Sequence, residues 1–291
     1  MAALEKALLG PDPLISVELR PPRIGLRARD SMDSWIDLHH SLRRLTRGGH
    51  PLFLTDDAVG DREEENLRHL TANLGQDADL SLAAPFLTCK HSLEYCLMYA
   101  QRAHSAGFGG VVVIGGDQNV GPPRCVPRSR DLRRLVRERV PELLLGGWSN
   151  PFRDPAEQVG WLGEERFGAD FALTQVVSHH DLGPVERFLE EVERQKLEMP
   201  LVFGVFFYRS ANRTTLDRLG EFFPVPTDDL MREFESGATA EEICARTVRA
   251  IQGLGVKKIY LANMGVRKVG PRLDSVLETV EAEGGVQGPV D

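Results

Sequence analysis

Polar side chains lie at or near the ends of several apolar segments of this sequence. The set contains two carboxylates, two threonines, two amides and several aromatic residues: Glu18, Thr55, Thr88, Asp117, Trp148 after Gly147, Gln175, Phe206 with Phe207 and Tyr208, and Asn263. Carboxyl groups suit general acid–base catalysis, and amides, hydroxyls and rings suit the binding of a planar ligand. No Cys-His pair, Ser-His-Asp order or Schiff-base lysine accompanies them, which disfavours nucleophilic catalysis.

Histidine and aspartate motifs offer weaker alternatives. His179-His180-Asp181 contains metal-binding residue types, but no third ligand follows at helical spacing, so we predict a solvated loop and no metal site. Asp117 could cap the turn that follows it, and its position alone leaves both roles open. His39 and His40 are adjacent on a predicted helix and cannot face one site together.

Glycine and arginine clusters could serve phosphate binding. The glycines of 107–110 and 115–116 resemble parts of a dinucleotide fingerprint, but Gly-x-Gly-x-x-Gly does not occur between a strand and a helix. We interpret them as turn residues. The arginine-rich segment 124–139 is interpreted as a charged helix face, with phosphate binding as the less favoured alternative.

Eight strand-like apolar runs must position the candidate side chains. They cover residues 14–20, 51–55, 82–87, 111–114, 142–147, 170–175, 201–207 and 257–263, and a helical pattern follows each run. Near-continuous apolar runs are typical of parallel strands buried on both faces. Repetition without a central break predicts one (β/α)8 barrel spanning 1–291, with the site at the carboxyl ends of its strands. We expect a flexible lead-in (1–12) and tail (284–291).

Composition limits the partners and the compartment. The chain has 291 residues, 42% of them hydrophobic, and a formal net charge of −8, which argues against nucleic acid and anionic membranes as main partners. Four cysteines without a Cys-x-x-Cys pair fit a reducing compartment. Neither a signal peptide nor an apolar run of about 20 residues is evident, so we expect a soluble cytoplasmic protein.

Several short motifs, in order along residues 14–264, resemble the methylenetetrahydrofolate reductase family. The opening strand, Ser-Val-Glu-Leu-Arg-Pro-Pro-Arg from Ser16, resembles that family's Phe-Glu-Phe-x-Pro-Pro-Lys. Leu-Thr-Cys ending at Cys89, Gly-Asp ending at Asp117, Gly-Ala-Asp-Phe with Thr-Gln ending at Gln175, and the late Asn263 fall in the family's order on the expected strands.

The resemblance implies a barrel that reduces 5,10-methylenetetrahydrofolate to 5-methyltetrahydrofolate. By position, Glu18 matches the general acid that protonates the folate as its ring opens to a 5-iminium cation. Asp117 matches a residue that hydrogen-bonds the pterin, and Gln175 one that contacts substrate and nicotinamide. We therefore predict folate contacts from Asp117, Gln175, Thr88 and Asn263, and contacts to the nicotinamide from Gln175, Thr55 and Phe206.

Departures from the family pattern cluster where its members hold FAD. Phe86 replaces a histidine, Gly115 an arginine, and Asp56-Asp57 an aromatic-glycine pair, and a lysine of the helix after strand five is lost. Fewer cationic partners and two added carboxylates disfavour an FAD diphosphate. Flavin-free members of the superfamily take hydride directly from a reduced nicotinamide. We therefore predict NADH or NADPH as co-substrate and doubt that FAD binds.

Three alternatives stay open at this stage. The chain could be an FAD-dependent reductase with a modified flavin site, or a folate-binding or regulatory barrel without chemistry. The substrate could be another reduced pterin. Met264 replaces an arginine that follows the late asparagine in the family, so the folate tail would need Arg267 or Arg209. The sequence leaves nicotinamide preference and oligomeric state open, a homo-oligomer included.

Overall fold

Eight parallel strands close into one barrel. The computed structural model describes residues 2–56, 67, 69–70, 78–116 and 121–284. The strands pair in chain order and β8 pairs back with β1, which confirms the predicted (β/α)8 fold. They are β1 (Leu14–Leu19), β2 (Leu52–Leu54), β3 (Ala83–Thr88), β4 (Val111–Ile114), β5 (Leu145–Ser149), β6 (Phe171–Val177), β7 (Leu201–Phe206) and β8 (Lys258–Ala262).

Helices pack around the barrel through their apolar faces. On the second helix, Trp35, Leu38, Leu42 and Leu45 recur at helical spacing and are buried. The described helices are α1 (Ala3–Leu9), α2 (Ala28–Arg47), α3 (Leu93–Ser105), α4 (Ser129–Arg139), α5 (Pro155–Gly163), α6 (Gly183–Gln195), α7 (Arg213–Gly220), α8 (Thr227–Glu235), α9 (Ala240–Gly253) and α10 (Val269–Gly284). Among the described helices, none has the length and apolar character to cross a bilayer.

The observed strand boundaries differ from the expected ones by up to three residues, most of all at the fifth strand. The fifth strand was expected at 142–147 and forms at Leu145–Ser149, because Leu143 and Leu144 precede the strand as buried residues of its entry loop. The segment 224–237, between the helix after β7 and α9, contains a further helix, α8. The helical pattern that follows the second strand-like run covers about 63–74 and falls mostly outside the described residues.

Strand side chains alternate between the barrel interior and the helix layer. On β8, Tyr260 and Ala262 belong to the interior cluster, whereas Ile259 and Leu261 pack with the helices. The interior cluster also contains Phe53 and Phe171. This period of two decides which residue of each strand end can reach the top of the barrel.

The lead-in, which the sequence predicted to be flexible, packs against the barrel. It forms α1, and Leu4 and Leu8 are fully buried in the interior cluster. The Lys258 ammonium group donates to the backbone carbonyls of Ala7 (2.9 Å), Gly10 (2.8 Å) and Asp12 (3.3 Å). Since Lys258 begins β8, α1 covers the amino-terminal end of the barrel.

Lys258→Met is expected to lower the free energy of unfolding by about 1 to 3 kcal/mol, because three carbonyls lose a charged donor. Denaturant unfolding followed by circular dichroism measures the change. Lys257→Met is the matched control, since Lys257 is exposed and its replacement should change stability by less than about 0.5 kcal/mol. Equal unfolding midpoints for the two variants would contradict an anchoring role for Lys258.

Candidate active site

A cavity of about 880 Å³ lies at the carboxyl ends of the strands. Each strand contributes to the lining of the cavity's central part. The contribution comes from the last residue of the strand that faces inward or from the one two positions after it. Five of the predicted site residues, from five different strands, lie in this lining: Glu18, Thr55, Thr88, Gln175 and Phe206. The closed barrel brings these residues together although they are far apart in sequence.

Glu18 carries a carboxyl group that lies among the apolar side chains of the barrel interior. Burial raises the pKa of its carboxyl from 4.5 to about 7, and the positive charge of Arg20 opposes the rise. The Tyr260 ring lies in the interior cluster beside it, and burial, with the negative charge of Glu18, raises the pKa of the tyrosine well above its usual value. No described residue hydrogen-bonds the Glu18 carboxyl. The group can therefore exist in both protonation states near neutral pH.

Gln175 lies at an irregularity of β6. The pairing with β7 shifts register between Leu173 and Val176. There Thr174 Oγ1 accepts the Gly204 backbone N–H (3.2 Å), and the Tyr260 hydroxyl donates to the Thr174 carbonyl (2.7 Å). A Cβ at Gly204 would lie 2.5 Å from the Tyr260 hydroxyl, so only glycine fits beside this ring. The irregularity turns Gln175 toward the cavity.

The Gln175 amide is held by groups of the protein itself. Its Oε1 accepts the Val176 backbone N–H (3.0 Å) and its Nε2 donates to the Phe222 carbonyl (3.5 Å). The second contact is at the limit of hydrogen-bond length and can be exchanged for a ligand acceptor.

Thr88 offers a hydroxyl to the cavity. The residue is buried, and its Oγ1 has no hydrogen-bond partner among the described residues. Its backbone N–H donates to Asp56 Oδ2 (2.7 Å), and the same oxygen lies 2.9 Å from His91 Nε2. Asp56 therefore fixes the end of β3 through two contacts. A buried hydroxyl without a partner is a place where a ligand gains a hydrogen bond.

Aromatic rings form one wall of the cavity. Phe86 packs edge-on against Trp148, with centroids 6.4 Å apart, and Phe206 packs against Phe223 at 5.1 Å. All four line the cavity, together with Phe222. Rings of this kind bind planar heterocycles by stacking and burial.

Among the described residues, one predicted folate ligand does not line this cavity. Asn263 is absent from the lining: its amide donates to the Phe207 carbonyl (3.0 Å) and accepts from Arg209 (2.8 Å). Since Ala262 faces inward, the next residue faces away, which is the physical reason. Asp117 lies outside the described residues. Arg267 pairs with Asp37, so neither Arg209 nor Arg267 reaches the cavity.

Arginines extend the cavity between α4 and α5, a feature that the sequence interpretation missed. In the part of the chain that the structure describes, six arginines and two carboxylates (Glu18 and Asp56) line the cavity. The arginines are Arg124, Arg128, Arg130, Arg133, Arg153 and Arg166. Segment 124–139 was interpreted as a charged helix face. Arg134 and Arg137 agree with that interpretation, because they pair with Glu138 and Asp170. Arg130 and Arg133 do not, because they line the cavity.

One of these arginines forms hydrogen bonds to the backbone just after β4. Arg124 donates from Nε to the Gly115 carbonyl (2.8 Å) and from Nη2 to the Gly116 carbonyl (2.8 Å). A Cβ at Gly115 would lie 2.6 Å from the guanidinium. In the family that the sequence resembles, an arginine stands at the position of Gly115; here the Arg124 side chain occupies the adjoining space. The sequence contained a signal for this contact: two consecutive glycines, with an arginine nine residues after the first of them.

No family model and no curated protein sequence matches the chain. Solved structures do match. An uncharacterized protein from Clostridium thermocellum that binds two copies of 5-methyl-5,6,7,8-tetrahydrofolic acid has a TM-score of 0.66 at 15% identity, over 96% of this chain and 98% of that one. The chain is a TIM barrel. Identity at this level shows the fold alone.

Other matching barrels carry different chemistry. An F420-dependent secondary alcohol dehydrogenase in complex with an F420-acetone adduct matches with a TM-score of 0.53 at 10% identity, over 91% of this chain and 99% of that one. A 2,3-dimethylmalate lyase of the PEP mutase/isocitrate lyase superfamily matches at 0.52 and 14% identity, over 100% and 90%. A shared barrel does not determine the reaction, which depends on the residues that line the cavity.

Proposed function

We propose that this barrel binds a reduced folate and reduces 5,10-methylenetetrahydrofolate to 5-methyltetrahydrofolate, with NADH or NADPH as direct hydride donor and no bound flavin. The observation that carries the proposal is Glu18, a carboxyl with a pKa of about 7 facing the cavity at the position of the family's general acid. The solved structure of another barrel that binds 5-methyl-5,6,7,8-tetrahydrofolic acid supports the substrate class.

Glu18 would act when the five-membered ring of the folate opens. The bond between the methylene carbon and N10 breaks, N10 keeps the electron pair, and the protonated Glu18 supplies its proton. The cation left on N5 and the methylene carbon then accepts a hydride, which produces the methyl group. An amine leaves readily only when protonated, so an acid with a pKa near the working pH is suited to this step.

Aromatic and polar groups of the cavity would hold the pterin. Trp148 and Phe206 offer apolar faces, and Thr88 offers a hydroxyl that has no hydrogen-bond partner among the described residues. Gln175 can exchange its long contact for a ligand atom. Asp117 and Thr55 stay predicted contacts, to the folate and the nicotinamide respectively. Thr88, Trp148, Gln175 and Phe206 lie in strands of the barrel, which favours precise placement of the reacting atoms.

The arginines match the anionic parts of both substrates. A dinucleotide diphosphate and a folate glutamate are anions, and guanidinium groups bind such groups through paired hydrogen bonds. The positive charge also meets the main requirement of an FAD diphosphate. A lack of cationic partners is therefore not sufficient ground for the prediction that FAD does not bind. That prediction rests on the changed residues around Phe86, Gly115 and Asp56.

An absorbance spectrum of the purified protein tests the proposal, followed by addition of NADH and 5,10-methylenetetrahydrofolate. We expect no flavin band and loss of the NADH absorbance only when the folate is present. A stoichiometric flavin band would instead support the FAD-dependent alternative. Folate binding without NADH oxidation would support a binding or regulatory barrel. One observation favours that alternative: the Gln175 amide oxygen already accepts a hydrogen bond from the protein backbone.

The pH dependence of kcat/KM should report the protonation of Glu18 in the free enzyme. Because the reaction requires the protonated carboxyl, kcat/KM should be level below about pH 7 and fall about tenfold per pH unit above it. Stopped-flow or steady-state assays between about pH 6 and about pH 9 measure the profile. A profile that stays level up to about pH 9 would exclude Glu18 as the acid.

A further inference from the structure

Two adjacent histidines and a glutamate meet outside the cavity. His179 and His180 lie in the loop after β6, and Glu233 lies on α8, which packs beside this loop. His179 Nε2 is 3.3 Å from Glu233 Oε1, and His180 Nε2 is 3.3 Å from Glu233 Oε2. The ligand atoms of the three residues all lie within 4.8 Å of one another. None of the three lines the cavity described above.

Hydrogen bonds on the far side of each ring orient both histidines. His179 Nδ1 lies 2.8 Å from Thr247 Oγ1, which itself donates to the Ile243 carbonyl, so the histidine nitrogen is the donor. His180 Nδ1 lies 2.8 Å from Ser178 Oγ. Each ring therefore presents Nε2 to Glu233. Metal-binding histidines are held in this way by a partner on the other ring nitrogen.

Two atoms of the cluster are buried without a hydrogen bond. His180 Nε2 and Glu233 Oε2 have no hydrogen-bond partner among the described residues, although they face each other. Arg246 donates to Glu233 Oε1 (2.5 Å) and leaves Oε2 unengaged. A proton on His179 would satisfy the contact to Oε1 but not the one between His180 and Oε2. Buried polar atoms of native proteins nearly always have partners.

A single cation would satisfy all of these atoms. Bonds of about 2.0 to 2.1 Å around a tetrahedral Zn²⁺ ion place neighbouring ligand atoms about 3.3 Å apart. This is the distance between His180 Nε2 and Glu233 Oε2, and one ligand atom from each of the three residues lies within 4.8 Å of the others. We propose that His179, His180 and Glu233 bind a divalent transition-metal ion of the Zn²⁺ class. The fourth tetrahedral position is left to water.

The site would connect the β6 exit loop to α8. Leu230 of α8 packs in a cluster with Tyr208, Leu216 and Ile243, so the helix is already seated by apolar contacts and the ion adds a second attachment. The proposal does not depend on the folate reaction. It departs from the sequence prediction of a solvated loop, because the third ligand comes from a helix more than fifty residues away.

Isothermal titration of tag-free protein with Zn²⁺ tests the site. We expect one equivalent to bind and the melting temperature to rise. Bound Co²⁺ should show the visible absorbance of a four-coordinate ion. His180→Gln should lower the affinity at least about 100-fold, and Thr247→Val, which removes only the orienting hydroxyl, about 10- to 100-fold.

His104→Gln is the matched control, because this histidine is exposed on α3 and its replacement should leave Zn²⁺ binding unchanged. Melting of each variant without metal shows that it is folded. Failure of the wild type to bind one equivalent, or equal affinity in the His180→Gln, Thr247→Val and His104→Gln variants, would overturn the proposal.

Discussion

Glu18→Gln is expected to lower turnover by roughly 10²- to 10⁴-fold while leaving folate binding close to normal. Glutamine keeps the shape of the side chain and one hydrogen-bond donor but cannot release a proton to the departing nitrogen. Steady-state assays with NADH and 5,10-methylenetetrahydrofolate measure kcat, and fluorescence titration of Trp148 and the other tryptophans measures folate affinity. The fall of kcat/KM above about pH 7 should disappear together with the activity.

The same variant should be more stable than the wild type above neutral pH. The pKa of Glu18 is raised on folding from 4.5 to about 7, so the folded state disfavours the ionised carboxyl. The penalty is absent below about pH 4.5, grows between the two pKa values, and is complete above about pH 7, where it amounts to about 3 kcal/mol. Glutamine carries no charge and removes the penalty.

Glu186→Gln provides the control, since Glu186 is exposed on α6 and should change neither turnover nor stability measurably. Unfolding in denaturant at about pH 5 and about pH 8 measures the stability difference. Full turnover in Glu18→Gln would rule out the acid role. Equal stability of Glu18→Gln and the wild type at both pH values would show that the carboxyl is solvated.

Arg133→Met is expected to destabilise the fold by about 2 to 4 kcal/mol. The guanidinium is 1% exposed and donates to the carbonyls of Phe167 (2.8 Å) and Val113 (3.0 Å) and to Ser129 Oγ (3.3 Å). It also lies 4.3 Å from the centre of the Phe167 ring. It thereby joins α4 to β4 and to the turn before β6.

Two opposing effects set the size of this change. Charged hydrogen bonds contribute about 1.5 to 3 kcal/mol each, and the cation–ring contact adds about 1 kcal/mol. Against this, burial lowers the pKa of Arg133 from 12.5 to about 10, and methionine would relieve a desolvation cost of about 3 kcal/mol. The hydrogen bonds outweigh the desolvation because two buried carbonyls would lose their donor.

Arg134→Met is the matched control, because the neighbouring arginine is exposed and, among the described residues, forms its ion pair with Glu138 one turn away. Its loss should cost less than about 0.5 kcal/mol. Chemical unfolding monitored by circular dichroism compares the two variants. Equal stability of both would show that the buried guanidinium contributes no net free energy.

The fold followed from local patterns in the sequence. Apolar runs such as Val111–Ile114, each followed by a helical pattern, were enough to predict a closed parallel barrel, because strands buried on both faces leave a continuous apolar signal. Glu18, Thr88 and Gln175 could be placed at the barrel top, because parallel strands end at the same edge. Position in a strand thus carries functional information without any contact being known.

Tertiary structure decided which polar groups actually meet. Asn263 stands at a strand end like the others, but the alternation of inward and outward residues turns it toward Phe207 and Arg209. Arg130 and Arg133 reach the cavity because one face of α4 borders it. Glu233 meets His179 only because α8 packs beside the β6 exit loop. These contacts depend on the direction of side chains and on the packing of helices that are far apart in sequence. Local spacing in the sequence does not encode either of them.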